Sequence, residues 1–226
     1  MSKLLNPLIA VVDSGIGGIS ILNSLIEKFG RGRYIYYADN LNMPYGNKTK
    51  NFIIKRVDEI ISYLNTEIKA DLIVLACNTA SSIIDTSKYK NVIVMTFDEN
   101  KTYLATKLTK SNICANVIAD AHLASNIEKY IFDDKKINKI ILDTVKKYKL
   151  YDIKEYYLGC THYELVNKYF SKFCPASIVI NNSYSIMPKI DNVQYDFDSL
   201  DVKVITSLEN NEYLKKIYKL IIKSII

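Results

Sequence analysis

The chain has 226 residues, 49% of them hydrophobic, which is enough to bury the core of one large domain or two small lobes. Its formal charge is +6, yet only three of the 30 basic residues are arginines and the lysines are mixed with acids, which disfavours a nucleic-acid partner. The sequence has neither a signal-peptide pattern nor an apolar run that could span a bilayer, so we expect a cytoplasmic protein without a membrane partner. The four widely spaced cysteines are then expected to be free thiols.

Short apolar runs alternate with helical periodicity, which is the pattern of an α/β fold with mainly parallel strands. In the first part of the chain, strands are predicted at 7–12, 34–38, 71–76 and 91–95, and helices at 19–29 and 49–64. Thr49 is the expected N-cap of the second helix. The strand at 71–76 is short and apolar, as expected of a strand that is buried on both faces.

The second part of the chain continues this alternation. Strands are predicted at 113–119, 154–159, 176–181 and 202–206, and helices at 99–110, 123–131, 137–150 and from 211 to the end. Because no low-complexity linker separates these elements, we expect two lobes in close contact. The first predicted lobe comprises residues 1–96 and 208–226, and the second comprises residues 97–207.

Two cysteines follow two of the predicted strands. Cys77 begins the sequence Cys-Asn-Thr and Cys160 begins the sequence Cys-Thr-His, each directly after an apolar strand. Ligands collect at the carboxyl ends of parallel strands, where the next helix also points its N–H groups outward. A helix N-terminus lowers the pKa of a thiol and binds carboxylates, so the pattern predicts two activated thiols and two carboxylate sites.

A simpler interpretation is that each cysteine is a small apolar core residue. The doubling of the pattern and the polar residues that follow each thiol favour chemistry over packing. A metal site is disfavoured, because the sequence has no closely spaced pair of cysteine or histidine ligands. Cys114 and Cys174 have no such polar neighbours, and we expect them to serve packing alone.

Four motifs now carry a family resemblance: DSGIGG at 13–18, PYGNKT at 44–49, LACNTASS at 75–82 and LGCTHYELV at 158–166. In this order they resemble the hallmark motifs of the glutamate racemases, within the aspartate/glutamate racemase superfamily. The closing segment at 202–221 is similar to the last strand and helix of that family. The resemblance therefore covers the whole chain, although it is weaker between about Thr96 and Ile153.

The resemblance implies two facing α/β lobes with mainly parallel sheets and the active site in the cleft between them. It implies racemisation of an acidic amino acid, most of all L- and D-glutamate, without a cofactor or metal. One thiolate would remove the α-proton while the opposite thiol delivers a proton to the other face. It also implies a small amino-acid substrate, a homodimer and a place in peptidoglycan biosynthesis.

The same resemblance assigns individual residues. The catalytic thiols would be Cys77 and Cys160, assisted by Asp13 and His162, respectively. The α-amino and α-carboxylate groups would be held by Ser14, Asn78, Thr79 and Thr161. The side-chain end of the substrate would be bordered by Pro44, Tyr45 and Gly46.

The sequence also departs from the family pattern. It is short between the two cysteines, and VIADAHLAS at 117–125 stands where we expect a threonine-rich turn around the distal carboxylate of the substrate. This places Asp120 and His122 at the distal end of the predicted cleft. An additional catalytic Glu of the family has no clear counterpart, and Asn42 replaces an expected Arg.

Alternatives remain open at this stage. His162 could be a core histidine, and Tyr45 could only pack in its turn. The whole protein could be a catalytically weak ligand-binding or regulatory protein on the same fold, for example one that contacts DNA gyrase. The two intact thiols favour the racemase, whereas the shortened second lobe favours the alternative.

Overall fold

Two parallel sheets organise the part of the chain that the computed structural model describes, residues 4–196 and 199–225. The first sheet contains β2 (Leu8–Asp13), β3 (Arg33–Ala38), β4 (Leu72–Leu75), β5 (Val92–Val94) and β11 (Asp201–Thr206). The second contains β6 (Thr102–Ala105), β7 (Asn116–Ala119), β8 (Glu155–Gly159) and β9 (Ile178–Asn181). A short pair joins β1 (Leu4–Leu5) to β10 (Val193–Gln194).

Strand order follows the doubly wound pattern in both sheets. The first sheet has the order β11-β3-β2-β4-β5 and the second the order β7-β6-β8-β9, with parallel pairing throughout. The predicted α/β class with mainly parallel sheets is therefore confirmed. Each sheet forms one lobe, and the carboxyl ends of β2, β4 and β8 lie at the boundary between the lobes.

Helices connect the strands and cover the sheets. They are α1 (Ile19–Phe29), α2 (Lys50–Thr66), α3 (Asn78–Ser81), α4 (Lys107–Lys110), α5 (Leu123–Tyr130), α6 (Asp134–Tyr148), α7 (Thr161–Glu164), α8 (Asn167–Phe173) and α9 (Asn211–Ile225). Thr49 caps α2, since its side chain accepts a hydrogen bond from the Phe52 N–H, as predicted. Within the described residues, no helix is long and apolar enough to cross a membrane.

The core explains why the strands are apolar on both sides. Along β2, Ile9 and Val11 pack into one cluster beneath α1 and α9, while Ala10 and Val12 pack into another beneath α2. Successive side chains of a strand point to opposite faces. Because helices cover both faces, neither set of side chains reaches water, and the strand has no polar alternation for a sequence pattern to show.

Two expectations from the sequence differ from the structure. The helix predicted at 99–110 is wrong in its first half, where Thr102–Ala105 forms the central strand β6 and only Lys107–Lys110 is helical. A short run such as Tyr103 to Ala105 that is buried on both faces has no period that separates strand from helix. The lobe boundary also differs, because β11, predicted in the second lobe, pairs with β3 in the first sheet. Such a long-range parallel pairing leaves no local signal.

A glycine turn between β2 and α1 lets the lobes approach each other. A Cβ atom on Gly17 would collide with Thr161 Oγ1 and lie 2.7 Å from His162 Nδ1, both in the other lobe. A Cβ on Gly15 would lie 2.7 Å from Glu128 Oε2, also in the other lobe. The backbone conformation does not demand glycine at these positions, since neither has a positive φ. Glycine is needed here because there is no space for a side chain.

Gly17→Ala should therefore destabilise the protein. The added methyl group must push the turn of Thr161 away, and overpacking of this kind costs about 1–3 kcal/mol. Urea denaturation would measure the loss as a lower midpoint with an unchanged slope. An unchanged midpoint would show that the contact between the lobes adjusts without cost.

Candidate active site

A closed cavity lies between the lobes, where the turns after β2, β4 and β8 meet. It is lined by Ser14, Pro44, Tyr45, Gly46, Cys77, Asn78, Thr79, Thr106, Ala124, Cys160, Thr161 and His162. Each site residue expected from the sequence is in this set except Asp13, which is buried and accepts a hydrogen bond from Thr161. The cavity has a free volume of about 10 Å³, which is roughly the space of one water molecule. A larger molecule can enter only if residues around the cavity move apart.

The Cys77 thiol is buried and faces Ser14, with 3.8 Å between Cys77 Sγ and Ser14 Oγ. Burial raises the pKa of this thiol well above its ordinary value, and the charge of Asp13 raises it further. The expected lowering of the thiol pKa at a helix N-terminus is therefore wrong for Cys77. The helix that follows, α3, has only four residues, so its dipole is too short to outweigh burial.

His162 connects the second thiol to a carboxylate. Its Nδ1 atom lies 4.0 Å from Cys160 Sγ, and its Nε2 atom lies 2.6 Å from Glu128 Oε2. Burial alone would lower the pKa of His162, but its contacts with Cys160 and Glu128 raise this pKa well above the ordinary value. His162 is therefore part of a polar chain, and the alternative of a core histidine without a role in the site is disfavoured.

Glu128 is a residue that the sequence analysis missed. It lies on α5, is buried, and accepts a second hydrogen bond from the Ile16 N–H of the first lobe. Burial would raise the pKa of Glu128, but His162 and Lys216 hold it below its ordinary value. Glu128 is therefore a candidate for the additional Glu for which the sequence offered no clear counterpart. The available signal was a charged residue on the apolar face of α5, one position after Ile127.

Asp13 lies at the end of β2 and joins the lobes. Its carboxylate accepts hydrogen bonds from the Gly15 N–H at 2.9 Å and from Thr161 Oγ1 at 3.0 Å. Burial raises its pKa above the ordinary value, although His162 acts in the opposite direction. A buried carboxyl group whose pKa is raised is more readily protonated than an exposed one, which makes Asp13 a candidate for proton transfer.

Asn78 presents an unpaired donor in the cavity wall. The residue is 1% exposed, and its Oδ1 accepts a hydrogen bond from Asn182 Nδ2 at 2.6 Å. Its Nδ2 has no hydrogen-bond partner among the described residues. A buried amide without a partner is costly, so an acceptor bound in the cavity would stabilise this side chain.

Three threonine hydroxyls meet at one end of the cavity. Thr79 Oγ1 lies 3.0 Å from Thr106 Oγ1 and 3.3 Å from Thr109 Oγ1, and the latter two lie 3.0 Å apart. Thr79 belongs to the first lobe, whereas the other two follow β6 in the second. The structure thus places a turn with two threonines, 106–109, at the cavity, where the sequence analysis expected the segment 117–125. The sequence signal for this turn is Thr-x-x-Thr directly after a strand. The signal was not recognised because a helix was predicted over 99–110.

Asp120 does not line the cleft, contrary to the expectation. Its carboxylate accepts hydrogen bonds from the N–H groups of His122 and Leu123, both at 2.8 Å, and from the Tyr148 hydroxyl at 2.9 Å. Burial would raise its pKa, but these bonds hold it below the ordinary value. With His122, it lines a separate surface cavity of about 240 Å³. Asp120 acts as a capping residue at the start of α5.

Tyr45 is fixed by a buried ion pair. Its hydroxyl donates to Asp39 Oδ2 at 2.7 Å, and Arg56 Nη2 donates to Asp39 Oδ1 at 2.8 Å. Burial would raise the pKa of Asp39, but the bonds from Arg56 and Tyr45 lower it. Asn42, which replaces an expected Arg, also donates to Asp39 and does not line the cavity. Tyr45 thus combines turn packing with a place in the cavity wall.

All four cysteines are free thiols, as expected. Cys174 is buried, which agrees with a packing role, but Cys114 is exposed and does not belong to the core as predicted. Among the described residues, no group of three or more His, Cys, Asp or Glu side chains is arranged to hold a metal ion.

Several known proteins are similar to this chain in sequence or in fold. No family model matches the chain. It is 29% identical to a glutamate racemase of Clostridium acetobutylicum over 260 aligned positions, covering 98% of this chain and 99% of the relative. A glutamate racemase isoform from Bacillus anthracis shares the fold with a TM-score of 0.77 at 20% identity, covering 94% of this chain and 93% of that one. The chain is related to the glutamate racemases.

The enzyme class follows from these relatives, which are isomerases, and the chain is glutamate racemase-like. An Escherichia coli glutamate racemase in complex with L-glutamate and the activator UDP-MurNAc-ala has the same fold, with a TM-score of 0.78 at 20% identity, covering 97% of this chain and 95% of that one. The alignment with the Clostridium relative is longer than the 226 residues of this chain, so that racemase carries segments that this chain lacks.

Glu164 is a buried carboxyl group at the contact between the two lobes. It accepts hydrogen bonds from the Ser20 hydroxyl at 3.2 Å and from the Ser183 N–H at 2.9 Å. Neither partner carries a charge. Burial raises the pKa of Glu164 from 4.5 to about 7, so its ionised form destabilises the folded state.

Glu164→Gln should remove this pH dependence. Between the ordinary pKa of 4.5 and the folded value of about 7, wild type loses stability as the pH rises, because the unfolded chain ionises more easily. The variant should equal wild type near about pH 4 and exceed it by roughly 3 kcal/mol at about pH 8. Urea denaturation across this range measures the difference. Glu27→Gln on the exposed side of α1 is the control, and equal slopes for all three proteins would contradict the prediction.

Proposed function

We propose that this protein interconverts L- and D-glutamate through Cys77 and Cys160, without a cofactor. The observation that carries the proposal is the pair of buried free thiols in the wall of one closed cavity, each at the carboxyl end of a strand from a different lobe. Two relatives of the same fold are described with D-glutamate and with L-glutamate, which supports a small amino-acid ligand. The comparisons do not favour the alternative of a regulatory binding protein.

The reaction needs one base and one acid on opposite faces of the α-carbon. One thiolate takes the α-proton and becomes a thiol, while the opposite thiol gives its proton to the other face and becomes a thiolate. The carbon is inverted and no atom is lost. In the next turnover, in the reverse direction, the two cysteines exchange roles.

Each thiol has its own proton relay. Cys160 faces His162, which Glu128 holds from the other side, so that a proton can move between the imidazole and the sulfur. Cys77 faces Ser14 and feels the charge of Asp13. Burial and the charge of Asp13 make the Cys77 thiolate costly, whereas the ammonium group of a bound amino acid would favour it. Activation of this thiol is thus coupled to substrate binding.

The carboxylate of the substrate is where negative charge grows. The α-proton is a very weak acid, so the developing charge must meet fixed donors in a site without water. The unpaired Nδ2 of Asn78 is such a donor, and the backbone N–H groups at the starts of α3 and α7 are others. Ser14 and Thr161, also in the cavity wall, would hold the α-amino group.

The distal end of the substrate would meet Thr106 and the turn of Tyr45. Gly46 belongs to the same wall, because a Cβ at this position would lie 2.9 Å from Thr106 Cβ. A cluster of threonine hydroxyls suits a carboxylate, which accepts several hydrogen bonds. In this proposal the product D-glutamate would enter peptidoglycan biosynthesis. The predicted homodimer stays a separate prediction, which light scattering would test.

Single replacements of the thiols test the mechanism. Cys77→Ser and Cys160→Ser should each abolish racemisation, because the carbon can no longer be protonated from both faces. Each variant should retain exchange of the α-proton with deuterated water for one enantiomer only, and the enantiomer should differ between them. Proton NMR of L- and D-glutamate in deuterated water measures both quantities. Cys174→Ser, at a buried cysteine outside the cleft, is the matched control.

Two results would contradict the proposal. One is full racemisation by either active-site variant, which would exclude the cysteines as bases. The other is the absence of α-deuterium in every amino acid incubated with the wild-type protein, which would exclude racemisation itself.

Thr106→Val tests the side-chain end of the site. Valine has the shape of threonine but no hydroxyl, so one hydrogen bond to the distal carboxylate is lost. The KM for glutamate should rise about tenfold, the effect of one hydrogen bond to a charged group, while kcat changes less. Asp120→Asn, outside the cleft, should leave the ranking of amino-acid substrates unchanged. If Asp120→Asn changes that ranking and Thr106→Val does not, the proposed pocket is wrong.

A further inference from the structure

The C-terminal helix α9 docks beside the active site. Its residues Ile217 and Ile221 are buried in the core cluster beneath α1. This docking turns Lys216 and Tyr213 toward α5, which carries Glu128. The side chain of Lys216 is 19% exposed, so its ammonium group lies largely out of water.

Lys216 makes two contacts with Glu128. Its Nζ atom donates a hydrogen bond to the main-chain carbonyl of Glu128, and it lies 3.5 Å from Glu128 Oε1. Glu128 is in the last turn of α5, where unpaired carbonyl groups and the helix dipole favour a cation. One ammonium group therefore holds both the end of the helix and the carboxylate that this helix carries.

We propose that Lys216 is a positioning residue of the Cys160 side of the site, which keeps Glu128 ionised and directed at His162. This inference rests on the proposed racemase function. Glu128 uses Oε2 for His162 and for the Ile16 N–H. Its other oxygen, Oε1, has no hydrogen-bond partner among the described residues, so Lys216 supplies its compensating charge.

The charges around Glu128 show why this lysine matters. The titratable groups that act on or face Glu128 are His162 on α7, Lys216 and Tyr213 on α9, Asp13 on β2 and Tyr36 on β3. Asp13 is an acid, and the raised pKa values of both tyrosines keep them neutral, so none of these three groups offsets the charge of Glu128. Of the described groups in this set, Lys216 alone is a cation whatever the state of His162. Without it, His162 alone among these groups would oppose the effect of burial on the pKa of Glu128, which would then rise.

Lys216→Met tests the proposal, since methionine keeps the apolar stem and removes the charge. Glu128 should then take up a proton at higher pH, by about one pH unit, as expected for loss of an opposite charge at this distance. The acidic limb of the pH profile of kcat should move upward by the same amount. Lys216→Arg, which keeps a cation, should restore the profile. Lys215→Met, at the exposed neighbouring lysine of the same helix, should leave it unchanged.

A second measurement does not depend on catalysis. The chain has only two histidines, so the imidazole NMR signals of His162 and His122 can be assigned by a single substitution. The His162 signal should show an inflection from Glu128 at acidic pH, which Lys216→Met moves to higher pH, while the exposed His122 serves as the internal control. Lys216→Gln gives the same test should the methionine variant not fold.

The outcomes separate the two proposals. If wild type does not racemise glutamate but the His162 inflection moves in Lys216→Met, the proposed function fails and the role of Lys216 remains. If the inflection and the acidic limb are the same in wild type, Lys216→Met and Lys216→Gln, the lysine is only a helix cap and the inference is overturned.

Discussion

The contact between two turns determines the rest of this site. The glycine turn at 15–18 lies against the turn that begins α7, and the absence of a side chain at Gly17 lets Thr161 and His162 reach the first lobe. This closeness places the ends of β2, β4 and β8 around one cavity and puts Cys77 and Cys160 in its wall. Any larger residue at 17 would separate the strand ends, since backbone and side-chain atoms of the other lobe already fill the space.

The close contact between the lobes also excludes water from the site, and this burial affects the pKa values of the ionisable groups in two ways. Asp39 and Glu128 remain ionised because each has a cation, Arg56 for the first and Lys216 for the second, with His162 as a further partner. The pKa values of Asp13 and Cys77 are raised by burial, and that of Cys77 also by the charge of Asp13. Asp39 and Glu128, which are paired with cations, hold the walls of the site in place. Asp13 and Cys77 can change their protonation when the ammonium or carboxylate group of a ligand enters the site.

Much of this could be inferred from the sequence, and the remainder has identifiable causes. Strand ends at Asp13, Cys77 and Cys160 are visible because apolar runs stop there at polar residues. Glu128 was missed because its partner His162 is 34 residues away in the sequence, and no local pattern joins them. The turn at 106–109 was missed because β6, which is buried on both faces, has no period that distinguishes a strand from a helix. The local pattern of apolar and polar residues thus locates the strand ends. Contacts between residues far apart in the sequence decide which side chains meet at those ends.

Closure of the lobes and assembly of the site are one event in this structure. Among the hydrogen bonds that cross the boundary between the lobes are those from Thr161 to Asp13, from the Ile16 N–H to Glu128 and from Ser20 to Glu164. The acceptors of the first two bonds, Asp13 and Glu128, belong to the proposed proton relays. The acceptor of the third, Glu164, lies two residues after His162. A ligand can reach the thiols only when the turns separate, because the closed cavity holds about 10 Å³. Separation of the turns would break the bonds from Thr161 to Asp13 and from the Ile16 N–H to Glu128, so the proposed relays are complete only when the lobes are in contact. In the proposed reaction, this arrangement would exclude water when negative charge develops on the substrate, which is when the removal of a weakly acidic α-proton most needs fixed donors.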